Sequence, residues 1–402
     1  MRSLTGFLVE ETTEEKLKHL EHPEDHPIKS GEAGFHHAFN TLKTTAETLQ
    51  GHESGTKLMT KYDGAPSVVF GHHPETGKFF VASKSAFNKD PKINYTTADI
   101  ERNHGHAPGL VSKLKAALKH LPKVAPKAGV FQGDFLYHKD DGDVQQDDKG
   151  NYNFKPQLIN YQAKKGSEQA AKIARAKIGF YVHTGYKGTN LESMKADYTP
   201  DTAGFKQHPD VHMHHWHEGF DAKKAKYSDQ DHATFKNEMN KAGKILTGSD
   251  KHALFGALHG IDQDHVTTYI NKSVVHGEAP SVEGLAKHVQ QRHQKAIESV
   301  KTEKSKAQKS AAMEQDLAHI KANKKHLAAM LQMHQHLANA KNALLPALTR
   351  GDTTGYKYSI NGQDSTAEGT VAVTKENRPT KYVNRGAGGF AQVNLSKGGF
   401  GK

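Results

Sequence analysis

Along this chain the spacing of apolar positions changes character five times. In residues 30–50, Phe35, Phe39, Leu42, Ala46 and Leu49 recur every three or four positions, which puts them on one helical stripe stopped by Gly51. From 57 to 90 the text is β-type: KLMTKY, SVVFG and KFFVASK read as strands, with HPETG as a hairpin connection. Residues 108–122 return to helical spacing through Leu110, Val111, Leu114, Leu118 and Leu121. Short strands are expected at GVFQGDFLY, LINYQ and IGFYVHTGY, with a helix near 167–177. From about residue 190 strands are expected to disappear. Residues 305–348 are almost all helix formers, with Leu317, Ile320, Leu327, Leu331 and Leu337 near a 3.5 spacing. That pattern reads as a helical hairpin or small bundle, its long helix able to pair within or between chains. β-type sequence resumes at YKYSING and EGTVAVTKENRPTKYVNR, and GAGGFAQVNLSKGGFGK reads as a loose Gly-rich tail.

The expected organisation is α+β. Residues 1–190 and 347–390 form two halves of a strand-rich domain, 191–346 an all-α insertion, and 391–402 the tail. A length of 402 residues allows two or three domains, and a mean hydropathy of −0.76 points to a partly solvent-facing helical region. The absence of cysteine excludes disulfides and thiolate metal sites. No apolar run reaches the length of a signal-peptide core or a membrane span, so a cytoplasmic protein is expected, neither secreted nor in contact with a membrane. The net charge of +11 favours polyanionic partners. Only seven of the 55 basic residues are arginine, which suits backbone phosphate contact rather than base reading, and equally suits a solubilising lysine surface.

Candidate chemistry begins at Lys61-Tyr62-Asp63-Gly64. Taken alone, it reads as a lysine beside a turn in which Asp-Gly supplies the positive φ. Its company in chain order raises it: Gly133-Asp134 between β-type runs, Glu368-Gly369-Thr370-Val371 opening a late strand, then Lys381 in RPTKYVNR. This ordered set resembles the covalent nucleotidyltransferase superfamily of ATP-dependent DNA ligases, RNA ligases and mRNA capping enzymes. The resemblance implies a ligase-type domain of antiparallel sheets with flanking helices. It also implies an enzyme in which Lys61 attacks the α-phosphate of ATP, expels pyrophosphate and holds AMP. By the same resemblance Asp63 and Gly64 complete the lysine motif, Lys84 contacts phosphate, and Phe180 or Tyr181 offers a face to adenine. Asp134 and Glu368 contact the nucleotide and Mg²⁺, and Lys381 contacts the α-phosphate.

This sequence departs from the family pattern in places. Asp134 stands where glutamate is usual, Tyr382 and Val383 follow Lys381 where a second lysine is common, and Met59-Thr60 precede Lys61 where an acidic residue is common, leaving ATP and GTP both open. About twenty residues follow Lys381, too few for a C-terminal OB domain, and EGTVAV resembles the RNA-ligase form of its motif. RNA is therefore the expected acceptor, with nicked DNA, a protein side chain or a non-catalytic phage interaction protein as alternatives. LEHPEDHPIKSGEAG, KYDGAPSVVFG, FFVASKSAFNKDPK, QGDFLYHKD and ARAKIGFYVHTGYKG also resemble uncharacterised ligase-like proteins of large tailed bacteriophages. That implies the cytoplasm of an infected bacterium.

The histidines are read as non-catalytic. VHMHHWHEGF, with His212, His214, His215 and His217, is expected as a polar surface loop or strand, although it could grip Zn²⁺ or Ni²⁺ if folded suitably. His319, His326, His334 and His336 read as a solvated helix face or coiled-coil flank, and LEHPEDHP as a loop feeding the first helix.

Overall fold

The computed structural model describes residues 20–397; the N-terminal reading up to residue 19 and the last five tail residues lie outside them. Eleven α-helices and fourteen strands, most pairing antiparallel, make a mixed α+β fold over these residues. None of the helices is long and apolar enough to cross a membrane.

Helix α1 (His26–Leu49) is interrupted at Ser30–Gly31, and its apolar stripe is used: Phe35, Leu42, Ala46 and Leu49 are buried. A three-stranded sheet joins β1 (Lys57–Lys61) to β13 (Gly369–Val373) and β14 (Pro379–Val383) in the order β1-β13-β14. A six-stranded sheet runs β10-β8-β4-β2-β3 with β9 on β8. Its strands are β2 (Ser67–His72), β3 (Phe79–Ala82), β4 (Val130–His138), β8 (Ile178–Lys187), β9 (Lys195–Asp197) and β10 (Val211–His215). A third sheet of short strands comprises β5 (Val144–Gln146), β6 (Tyr152–Phe154), β7 (Asn160–Ala163), β11 (Lys357–Ile360) and β12 (Gln363–Ser365). Helices α2 (Thr97–His104), α3 (Pro108–His120) and α4 (Glu168–Arg175) connect these strands. The sheets are not wholly antiparallel, because β10 pairs with β8 in parallel.

The helical segment begins later than residue 191. Strands β9 and β10 extend the six-stranded sheet, and six helices follow without a strand between them. These are α5 (Asp229–Thr247), α6 (Lys251–His259), α7 (Gln263–His276), α8 (Val282–Glu298), α9 (Glu303–Ala322) and α10 (Lys324–Arg350). The stretch expected as one long helix is two, broken at Asn323. Leu327, Leu331, Leu337 and Leu344 of α10 share a core with Phe35 and Leu42 of α1 and with Tyr382 of β14. Of the apolar positions that suggested a helical pairing, Ile320, Leu327, Leu331 and Leu337 are buried within this chain, and Leu317 is half-buried. The Gly-rich tail is also more ordered than expected: α11 (Phe390–Lys397) buries Phe390 and Ala391.

Strand alternation divides the three-stranded sheet into two unlike faces. Leu58, Ala372 and Tyr382 turn to the helices, where Tyr382 Oη meets Thr45 Oγ1 at 3.0 Å. Met59, Lys61, Val371 and Lys381 occupy the other face, and the register aligns Met59 with Val371 and Val371 with Lys381. The six-stranded sheet is divided the same way. Phe70, Phe135 and Phe180 pack with Leu114 of α3, whereas Ser67, Asp134 and Tyr181 look the opposite way.

Candidate functional site

A cleft of about 380 Å³ lies between the polar faces of the three-stranded and six-stranded sheets, within the size range of small-molecule sites. Lys61 ends β1 opposite Gly369, so Glu368, one residue before β13, comes within reach. Lys61 Nζ donates to Glu368 Oε2 at 2.6 Å, with the two side chains 24% and 11% exposed. Burial pushes the lysine toward the neutral amine. The charge and hydrogen bond of Glu368, joined by the charge of Asp134, outweigh it and hold Lys61 above its ordinary value, as an ammonium. Burial likewise raises Glu368 above the usual carboxylate range, against the pull of Lys61.

Asp134 stands in register between Ser67 on β2 and Tyr181 on β8. Its Oδ2 lies 3.5 Å from His183 Nε2. Burial would raise its pKa, but His183, a hydrogen bond from Ser67 and the charge of Lys61 together bring it below the ordinary value. Lys381 faces the cleft from β14, where burial and the charges of Lys61 and Arg385 lower it to about 8. Lys84 is exposed at the rim, in the 3₁₀ turn Lys84–Phe87.

Two glycines allow the walls to approach. A Cβ on Gly64 would meet Asp134 Cβ at 2.6 Å, and one on Gly133 would meet the Tyr181 carbonyl oxygen at 2.3 Å. The Lys-x-Asp-Gly and Gly-Asp pairs are therefore the contact between the loop after β1 and the strands β4 and β8.

The cleft brings together Lys61, Gly64, Lys84, Asp134, Tyr181, Glu368 and Lys381. It does not include Phe180, which is fully buried on the opposite face of β8 among Phe70 and Phe135. Adjacent strand residues face opposite ways, so only one of Phe180 and Tyr181 could line the site. Tyr181 does so as a buried wall, its ring 4.5 Å from Tyr62 and its hydroxyl donating to the Thr60 carbonyl at 3.3 Å. Asp63 is also turned away from the cleft. Its Oδ2 accepts from the backbone N–H groups of Leu158 at 2.7 Å and Ile159 at 2.8 Å, while its own N–H donates to Tyr161 Oη at 2.7 Å. The motif aspartate anchors the turn that presents Lys61 and is not among the residues that line the cleft. Val383, where the family pattern favours a second lysine, is buried among the aromatics of the third sheet.

Ser67, Gln132 and His183 also line the cleft, unanticipated from the motifs. Stepping two residues from Asp134 and from Tyr181 along their strands would have found Gln132 and His183; Ser67 needed the register. The His-rich run is a surface feature only in part: His217 is exposed and His215 half-buried, but His212 and His214 are buried. His212 lies 3.0 Å from Tyr137 Oη and 2.9 Å from Gln169 Oε1, and His214 lies 3.0 Å from Tyr356 Oη, all within β10 and the core beside it. Burial lowers His214 to about 3, so it is neutral at physiological pH. His334 is not solvated either: its Nε2 is 3.0 Å from Asp25 Oδ1. Nor is LEHPEDHP an open loop, since Glu24 and Asp25 are buried in a 3₁₀ turn.

Fold and cleft together define a mixed α+β protein, built mainly of antiparallel strand pairs, that gathers lysines and carboxylates in one pocket. The chain belongs to DUF6267, a family of unknown function, whose model matches residues 17–398. No curated protein and no solved structure matches it.

Proposed function

We propose that this protein is an ATP-dependent adenylyltransferase of the polynucleotide ligase type, with Lys61 as nucleophile and RNA as the favoured acceptor. The observation that carries the reading is the Lys61–Glu368 pair in a cleft that also holds Asp134, Lys84 and Lys381. In the reaction the Lys61 nitrogen forms a bond to the α-phosphorus of ATP while the bond to the pyrophosphate oxygen breaks. Lys61 must first lose a proton, and the Glu368 carboxylate, 2.6 Å away and made more basic by burial, is the acceptor within reach. Lys381 and Lys84 lie where their charges would offset those of the phosphates. Asp134 and Glu368 form an all-oxygen donor set that suits Mg²⁺, and these residues would hold it; bound there, the ion would neutralise phosphate charge. The preference for RNA rests on the form of EGTVAV, and the lysine-rich chain supplies phosphate attraction.

A variant of this reading follows from the cleft's geometry. Lys381 lines the same cleft as Lys61 and, unlike it, has no carboxylate in hydrogen-bond contact among the described residues; burial and the charges of Lys61 and Arg385 lower it to about 8, which makes it the competing nucleophile. The test is incubation of pyrophosphate-stripped protein with ATP labelled at the α-phosphate and Mg²⁺, followed by a denaturing gel. Label on the parent and on Lys381→Ala, lost in Lys61→Ala, supports Lys61; the reverse pattern transfers the role to Lys381. No label from ATP or GTP on any of the three overturns the adenylyl chemistry and leaves a non-catalytic binding protein.

A further inference from the structure

Three consecutive helices of the segment between β10 and β11 converge on a cluster far in sequence from the cleft motifs. His265 lies in the first turn of α7, His293 late in α8, and Asp316 late in α9. One ligating atom from each lies within 4.8 Å of the other two. His293 Nε2 is 2.7 Å from Asp316 Oδ2, and the rings of His265 and His293 are 5.1 Å apart at 52°. The cluster is shielded: His265 is 9% exposed, and the His293 and Asp316 side chains are 13% and 19% exposed. Moreover, His265 Nδ1 is buried without a hydrogen-bond partner among the described residues, an arrangement proteins rarely leave without a reason.

We propose that His265, His293 and Asp316 bind one divalent first-row transition cation of the Zn²⁺ class, joining α7, α8 and α9. Two imidazoles and one carboxylate are the donor set such ions favour, whereas Mg²⁺ and Ca²⁺ prefer all-oxygen cages. With metal–nitrogen bonds of about 2.0–2.1 Å, donors in a tetrahedral site stand about 3.3 Å apart. Binding therefore requires the His293–Asp316 hydrogen bond to open by about 0.6 Å and the wider separations to close by at most about 1.5 Å, adjustments within reach of side-chain rotation. A fourth position is left for water. Arg292, whose charge is felt at His265, is committed to Asp264 at 2.8 Å and Thr268 at 2.9 Å. α7 and α8 bury Val266, Ile270, Leu285 and Val289 in the shared core, but α9 buries only Ile320 over its twenty residues, so a metal bridge would add a tether for the helix with least apolar contact.

The experiment titrates the EDTA-stripped full chain with Zn²⁺ by calorimetry, and with Co²⁺ by visible absorption. It compares the parent with His293→Gln and Asp316→Asn. The expected result is one tight ion per chain, with ligand-field bands that both variants lose, and a rise in melting temperature on adding Zn²⁺ that the variants lack. Asp316→Asn preserves side-chain size, so its melting temperature without metal controls for misfolding if His293→Gln does not fold. The proposal is overturned if the parent binds no stoichiometric Zn²⁺, or if the variants keep the same stoichiometry and Co²⁺ spectrum, which would assign binding to the chain's other histidines.

Discussion

The Lys341–Glu24 ion pair gives the sharpest stability prediction. Both side chains are fully buried, with Nζ 2.5 Å from Oε1, and the pair ties α10 to the 3₁₀ turn Pro23–Asp25. Arg385, just beyond β14, grips the same turn: its Nη2 lies 2.7 Å from Asp25 Oδ2 and its Nη1 3.4 Å from Glu24 Oε1. Removing one partner of such a pair strands a buried charge, which costs about 3–5 kcal/mol. Arg385 compensates part of the Glu24 charge, so Lys341→Met is expected to cost about 3 kcal/mol, a large share of the roughly 5–15 kcal/mol that stabilises a folded domain. Glu24→Gln alone strands the ammonium and should cost a similar amount. The double variant buries no unpaired charge from this pair and is expected to lose less than the sum of the singles by about 1–3 kcal/mol. Urea unfolding followed by far-ultraviolet circular dichroism measures all three. If each single variant loses under about 1 kcal/mol, or if the double equals the sum, the argument that these charges sustain each other is wrong.

Two further outcomes follow from the geometry. Gly64→Ala forces a Cβ to 2.6 Å from Asp134 Cβ and should lower stability by about 1–3 kcal/mol; an unchanged urea midpoint would mean that the loop after β1 yields freely. Asp25 is held well below its ordinary pKa, because the Arg385 charge and the His334 hydrogen bond outweigh the opposing effect of burial. Its stabilising contribution is therefore complete above the unfolded value of about 4 and is lost as pH falls below it. Arg385→Gln should flatten that acid loss in a stability–pH series, and an unchanged slope below pH 4 would exclude Asp25 as its source.

How much of this could be read in the sequence depends on the range of the interaction involved. Helical and strand periodicity are local properties, and they marked α1, α3, β1, β2, β4, β8, β13 and β14 close to their observed bounds. The motifs were legible for a related reason. Gly64 and Gly133 are there because backbones touch, and Lys61, Asp134, Glu368 and Lys381 all reached the same cleft. Strand alternation is equally local: adjacent Phe180 and Tyr181 must face opposite sides of β8, and only Tyr181 lines the cleft.

Pairing and burial were settled only in three dimensions. Asp63 looks like a ligand in the sequence because nothing local reveals that the Leu158 and Ile159 amides, nearly a hundred residues on, have claimed its carboxylate. β9 gave no strand signal and β10 stayed open between loop and strand because their residues are largely polar. They are strands through their partnership with β8, and His212 and His214 tolerate burial because tyrosine and glutamine groups from elsewhere accept or donate their hydrogen bonds. The charged LEHPEDHP stretch reads as loop for the same reason: its carboxylates become core residues only when Lys341 and Arg385 arrive from more than three hundred residues away. Sequence determined where backbone could turn, cross and alternate. Tertiary structure decided which charges meet, because an ionic or hydrogen-bonded partner is specified by position in space and leaves no periodic trace along the chain.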